Sequence, residues 1–329
     1  MISSPHVSVS PHIRSGRTTT GLMRDVLIAL LPACVMGVYA YGLRVLLVLL
    51  VTVASAVLTE LVYERLVHLP LTIKDLSAAV TGVILAVNLP VTIPLWMAAL
   101  GSVFAVLVVK MLFGGIGQNI MNPALAARCF LLISFAGAMT AFPATVRTLF
   151  SSPVMAGATP LASLKAGEAT DWFQMLFNTH SGTIGEAFAP AIFLGFAYLL
   201  VRRVVNLRIP GVYILSTLGF VTLICLITGK GYLLSADYLV THLCGGGLLL
   251  GACFMANDYT TSPITPLGEV IYALLIGLLT ALFRTVGSSA EGVSYAILIG
   301  NLFVPLIERM TMPRPFGIRR ARREGRVDA

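Results

Sequence analysis

Three stretches of the chain carry residue types that could do chemistry. The first reads Gly114-Gly115-Ile116-Gly117-Gln118-Asn119-Ile120-Met121-Asn122-Pro123. Its glycines let backbone approach a ligand closely, and its three side-chain amides offer donors and acceptors without charge. That suits a neutral ring edge, such as an isoalloxazine or a quinone, better than a phosphate. The G-K-[ST] ending of a phosphate loop is missing, and no strand precedes the stretch as a dinucleotide fingerprint requires. Asn119 and Asn122 share a face if the segment is helical, or serve as caps for the helix that starts near Asn122-Pro123. The second stretch, Ala156-Gly157-Ala158-Thr159-Pro160-Leu161-Ala162, reads as a turn whose Thr is held extended by the following Pro. The same small residues present a hydroxyl that a modifying enzyme could reach. The third feature is a set of acids in or beside apolar runs: Glu60, Asp75, Glu186, Asp258 and Glu269. Charges there are costly and by default mark ion or proton pathways, although several stand at span ends close to water.

Other chemistries find less support. There is no Ser/His/Asp or Cys/His arrangement that suits a hydrolase, so no catalytic residue is assigned. The histidines His6, His12, His68, His180 and His242 are too scattered for haem ligation. Cys34, Cys129, Cys225, Cys244 and Cys253 show no metal-ligand spacing and are read as buried thiols, with no metal site expected.

The elements that position these residues are membrane helices. Of 329 residues 57% are hydrophobic and 11% charged, with 22 Lys+Arg against 14 Asp+Glu giving +8. A soluble domain carries about a quarter of its residues as charges, and a disordered chain is far less apolar. Basic residues stand between apolar runs or at the ends, not on one folded face, so the excess is no nucleic-acid footprint. Continuous apolar segments such as Val45 to Val57 exclude an outer-membrane barrel. The polar first 24 residues are read as lacking a cleavable signal, with the first helix as the membrane signal.

The expected fold is an all-α integral membrane protein of about ten transmembrane helices in two inverted five-helix halves. The spans fall near 25–42, 43–63, 76–89, 93–113, 124–142, 186–204, 209–228, 238–256, 267–286 and 292–308. Spans three and four meet at Asn88-Leu89-Pro90-Val91-Thr92-Ile93-Pro94, and spans eight and nine meet between Asn257 and Pro266. Such paired interruptions often line a shared site near the midplane, or are two ordinary Pro-containing loops. The divisions are 1–24, a cytoplasmic N-terminal segment; 25–142 and 186–308, the two halves; 143–185, an outer loop; and 309–329, a basic cytoplasmic tail. With the N-terminus inside, 17 of the 22 Lys+Arg fall on one face, which makes both termini cytoplasmic and puts loop 114–123 on the inner side.

Longer strings carry a resemblance. The run from Lys110 to Leu125, the N-terminal Ser4-Pro5-His6 and Ser10-Pro11-His12-Ile13-Arg14-Ser15, and the stretches Met255-Ala256-Asn257-Asp258 and Ser262-Pro263-Ile264-Thr265-Pro266 resemble the family of the Rnf complex D subunit. The B subunit of the sodium-pumping NADH:quinone reductase belongs to the same family, and the N-terminal strings favour the Rnf member. The resemblance implies a membrane electron-transfer subunit of an ion-pumping ferredoxin:NAD⁺ oxidoreductase in a prokaryotic inner membrane, inactive alone. Its implied partners are the other Rnf subunits, a flavin transferase and Na⁺ or H⁺, with no nucleic acid.

The resemblance also implies FMN joined as a phosphoester to Thr159, with Gly157 and Ala158 preceding it. The family's transferase motif usually reads Asp-x-x-Ser/Thr-Gly-Ala-Ser/Thr, and here Pro153 and Ala156 replace its Asp and first hydroxyl. Thr183 is a competing hydroxyl without the Gly-Ala pair. A second, non-covalent riboflavin or FMN is implied at Asn119 and Asn122, the positions that match the relative's asparagines. Glu60 and Asp258 are expected on the ion path. The alternatives are a subunit of an NADH:quinone reductase and a flavin-free secondary transporter or channel.

Overall fold

Apolar runs of this length can satisfy their backbone only within themselves, which favours helices. The structure, a computed structural model, describes residues 16–142, 159–165, 172–177, 181–229, 235–287 and 292–313. Among these, all regular structure is helical. The first described elements are two long helices, α1 (Thr19–Tyr41) and α2 (Arg44–Leu66). The Thr18 hydroxyl caps α1 by accepting from the Gly21 amide at 3.2 Å. A short helix α3 (Ser77–Val87) stops at Asn88, where two prolines prevent continuation. α4 (Leu95–Val103) then widens into a π-helical stretch, Phe104–Met111.

α5 (Pro123–Ser134) begins with Pro at its first position, and α6 (Ala136–Met139), α7 (Pro160–Lys165) and α8 (Trp172–Phe177) are short. The second half holds α9 (Ala189–Val201), α10 (Arg208–Ile227) and α11 (Ala236–Cys244). It ends with α12 (Leu248–Leu250), continued by π-helical Gly251–Met255, then α13 (Pro266–Thr285) and α14 (Val293–Thr311).

Among the described residues, five helices are long and apolar enough to cross a membrane: α1, α2, α10, α13 and α14. A sixth candidate is the bent pair Ala236–Cys244 and Leu248–Met255, which turns by 56°. The other four expected spans coincide with shorter apolar helices, Ser77–Val87, Leu95–Met111, Pro123–Ser134 and Ala189–Val201. Expected span eight, read as continuous over 238–256, is therefore broken at Gly245–Gly247 in the structure.

α1 packs against α9, α2 against α3 and α4, α10 against α13, and α14 against both α13 and α5. One buried cluster runs through residues of all these helices. α1 and α9 approach so closely at Gly195 that a Cβ there would strike the Ala29 carbonyl; small residues allow such backbone contact between membrane helices. Outward, Leu31, Val35, Leu47 and Leu50 are more than half exposed and form part of a belt suited to lipid. Two ion pairs tie helix ends: Arg202 to Asp25 at 3.2 Å and Arg208 to Glu269 at 2.8 Å.

Candidate cofactor cavity and buried charges

A cavity of about 100 Å³ lies where α1, α3, the π-helical end of α4, the start of α5 and the end of the bent α11–α12 pair converge. Sites for small ligands and cofactors have mostly apolar walls with a few placed polar groups. Leu22, Val26, Ile84, Ile116 and Phe254 supply apolar wall here, and Ser77, Lys110, Asn119, Asn122, Asn257 and Asp258 supply the polar groups.

These polar groups are differently occupied. Asn122 Oδ1 accepts from the amides of Ala124 at 3.1 Å and Leu125 at 3.3 Å, so it caps α5. Its amide nitrogen donates to the Met255 carbonyl at 3.4 Å. Asn257 donates to the Ala252 carbonyl at 3.1 Å, closing the π-helical turn. Asp258 accepts from the hydroxyls of Thr260 at 3.2 Å and Thr261 at 3.4 Å. Burial nonetheless holds its carboxyl above the usual carboxylate range, with those bonds pulling the other way. Asn119 differs: its Oδ1 is buried and has no hydrogen-bond partner. An orphan acceptor at an apolar cavity fits a ring that presents an N–H at its edge.

The first Pro-rich junction packs against the π-helical end that leads into the second. Asn88 donates to the Ile84 carbonyl at 2.7 Å, approaches Met255 Sδ at 3.6 Å, and accepts from Arg128 Nη1 at 3.0 Å. The Ile184 amide donates to the Leu89 carbonyl at 3.1 Å. Arg284 on α13 donates to the carbonyls of His242, Gly245 and Gly246, which the break in α11 leaves without helical partners.

A second polar group lies against the cavity wall. Lys110 Nζ donates to Glu60 Oε1 at 2.7 Å and to Ser77 Oγ at 2.6 Å. Thr72 bridges Glu60 to Glu64 with its hydroxyl. Glu60, Glu64 and Lys110 are all buried.

A family model described as NQR2, RnfD, RnfE family matches residues 6–317. The chain belongs to that family. It is 43% identical over 327 residues to the D subunit of the Na(+)-translocating ferredoxin:NAD(+) oxidoreductase complex of Acetobacterium woodii, covering 98% of each chain. It is 39% identical over 327 residues to the D subunit of the proton-translocating ferredoxin:NAD(+) oxidoreductase complex of Clostridium ljungdahlii, covering 95% of this chain and 96% of that one. The D subunit of an ion-translocating oxidoreductase complex from Escherichia coli O127:H6 is 33% identical over 355 residues, covering 95% and 99%. The resemblance read from the strings between Lys110 and Pro266 is thus the NQR2, RnfD, RnfE membership found by comparison.

The structure brings some expected site residues of this family member together and keeps others apart. Asn119, Asn122 and Asp258 line one cavity, and Glu60 stands behind it through Lys110. Thr159 is elsewhere: it starts α7, where its hydroxyl accepts from the Ala162 amide at 3.3 Å. Leu161 of α7 packs on Gly245 at the bend of α11–α12, eight residues of chain before Cys253 at the cavity. Gly157 and Ala158, with Pro153 and Ala156, lie outside the described residues. Glu186 is buried with Oε1 unpartnered, and Asp75 accepts from Ser77 Oγ at 2.6 Å.

Sequence reasoning passes over Glu64 and treats Lys110, Arg128 and Arg284 as interfacial charges. Each of these three cations is at most 2% exposed. The available signals are Glu60 and Glu64 four apart on one face of an apolar helix and a lysine inside an apolar run.

Proposed function

We propose that this chain is the membrane electron-transfer subunit of a redox-driven, ion-translocating ferredoxin:NAD⁺ oxidoreductase, working only within its complex. Family membership and the names of the relatives support the class. The observation that carries the reading to this chain's own chemistry is Asn119 Oδ1, a buried acceptor without a partner at a mostly apolar cavity. A riboflavin or FMN bound there supplies electron transfer through a planar ring. Asn119 would accept from the ring's N–H and the apolar wall would exclude water, while Asn122 holds the loop on α5. Thr159, at the start of a short helix, is proposed as the phosphoester attachment point for a second FMN, installed by a flavin transferase, with Gly157 and Ala158 giving access.

The proposed architecture is ten spans in two inverted halves, 25–142 and 186–308, flanked by the N-terminal segment, the outer loop 143–185 and the basic tail. Residues 88–91 and 93 are buried although not helical, which is how non-helical backbone survives at membrane depth. An α3 of 11 residues spans only about 16 Å, so such a span is completed by buried junction. Both termini are proposed to face the cytoplasm of a prokaryotic inner membrane, beside the other complex subunits.

Two experiments test this. The chain co-expressed with the flavin transferase gives a fluorescent band on a denaturing gel, and Thr159→Ala abolishes it. Asn119→Leu leaves that band intact while acid extraction of the purified complex yields less free flavin. A dark band together with no extractable flavin refutes the electron-transfer reading in favour of a transporter. Glu60 and Asp258 are proposed on the ion path; normal pumping by Glu60→Gln and Asp258→Asn complexes in sealed vesicles would remove them from it.

A further inference from the structure

We propose that Glu60 and Glu64 share one exchangeable monovalent cation, a proton or a sodium ion, at a site that Lys110 closes against the cavity. The argument begins with proton accounting. Lys110 Nζ donates to Glu60 Oε1 at 2.7 Å, and Glu60 Oε2, wholly buried, has no partner. Glu64 accepts from the Thr72 amide at 3.0 and 3.1 Å through its two oxygens. The Thr72 hydroxyl lies 3.1 Å from Glu60 Oε1 and is also hydrogen-bonded to Glu64 Oε1. A hydroxyl has one proton, so it serves one of these carboxylates and leaves the other facing an oxygen lone pair.

Charge accounting gives the same answer. Two carboxylates and one ammonium leave the buried group one positive charge short. Asp75, on the turn that packs against them, adds another acid, to which Ser77 donates while accepting from Lys110; Lys74 on the same turn and Arg65 beside Glu64 are exposed to solvent and lie outside the buried group. An uncompensated buried charge is neutralised by a proton or a cation rather than tolerated. Oxygen donors from Glu60, Glu64 and Thr72 suit either. When sodium enters, the shared proton leaves to water and the charge of the group is unchanged.

Access exists on both sides. Thr72 is exposed, which opens the site to water, whereas Lys110 and Ser77 form part of the cavity wall. Lys110 is therefore a tethered cation between the exchange site and the cavity. Movement of its ammonium toward the cavity would free Glu60 for a second mobile cation. This deepens the reading of Glu60 as part of the ion path, and it does not require a flavin in the cavity.

The test is infrared difference spectroscopy on the purified complex, comparing sodium-free with sodium-containing buffer and low with high pH. The expected result is a protonated-carboxyl band in sodium-free buffer that is lost in Glu60→Gln and in Glu64→Gln but kept in Asp258→Asn. Loss of the band on adding sodium identifies sodium as an occupant; loss only on raising pH identifies a proton site. Thr72→Val, which removes the shared hydroxyl and neither acid, shifts the band and serves where a Glu variant fails to assemble. A band that no Glu60, Glu64 or Thr72 variant alters, or one insensitive to both sodium and pH, overturns the proposal. Flavin extracted from the same preparations is scored separately, so a failed exchange site is distinguishable from a failed electron-transfer reading.

Discussion

At the scale of single residues, the molecule commits its buried cations to defined acceptors. Lys110 holds Glu60 and Ser77, and removing its charge leaves two acids buried without it. Lys110→Met is expected to destabilise the complex by about 3–5 kcal/mol, the cost of breaking a buried pair from one side. The thermal transition of the detergent-solubilised complex should fall accordingly, and Lys110→Met with Glu60→Gln should regain most of the loss. Equal stability of the single variant and wild type would show that the pair carries no such charge. Arg284→Leu strips donors from the His242, Gly245 and Gly246 carbonyls. Buried acceptors left unpaired cost about 1–3 kcal/mol each, so proteolysis near the bend should quicken in this variant. The amide loop and the embedded acids were legible in the sequence because amide chemistry and isolated charge are properties of residue type. The partners were not: whether a lysine at a span end faces headgroups or a carboxylate depends on a helix distant in the chain.

At the scale of elements, close approach decides what the helices tolerate. Gly195→Val would drive side-chain atoms into the α1 backbone at Ala29, whereas Gly219 on α10 has open space around its Cβ direction. Gly195→Val should lower the yield of assembled subunit in membranes sharply and Gly219→Ala should not; comparable yields would contradict the α1–α9 packing. Gly247, at φ +72, is the left-handed residue that restarts α12, and a Cβ there would lie 2.9 Å from Glu186 Oε1. The Pro-rich junctions were legible because Pro removes a donor and fixes its own torsion. The bend at Gly245–Gly247 was hidden inside an apolar run, since hydropathy records what a segment contacts and not whether its hydrogen bonds continue. The π-helical register was hidden for the same reason.

At the scale of the whole molecule, all five cysteines are buried and unpaired by disulfides. A membrane-impermeant maleimide should leave the wild-type chain unlabelled, so single cysteines at exposed Asn206 and Ser235 report topology without background. Asn206→Cys is expected to react only in inverted vesicles and Ser235→Cys only in right-side-out ones. Reaction of both from one side would overturn the proposed arrangement of spans. Membrane class and helix class were readable from composition. The basic count still favours one face after Lys110, Arg128 and Arg284 are recognised as buried. The contact between Asn88 and Met255 was beyond reach, because it joins residues 167 positions apart in the chain.

The π-helical stretch Phe104–Met111 has a consequence for inheritance. A π segment corresponds to surplus residues accommodated within an α-helix. Deleting one codon between Ala105 and Val109 would let the helix tighten to an α turn and leave its flanking faces in register, whereas deleting one codon between Thr52 and Thr59 in the regular α2 would turn every later side chain of that helix by about 100°. Glu60 would then swing off Lys110, although no residue of the cluster had been changed. A lineage could thus lose the cluster by a frame-preserving deletion in α2 and keep it through the same deletion in the π-helical stretch.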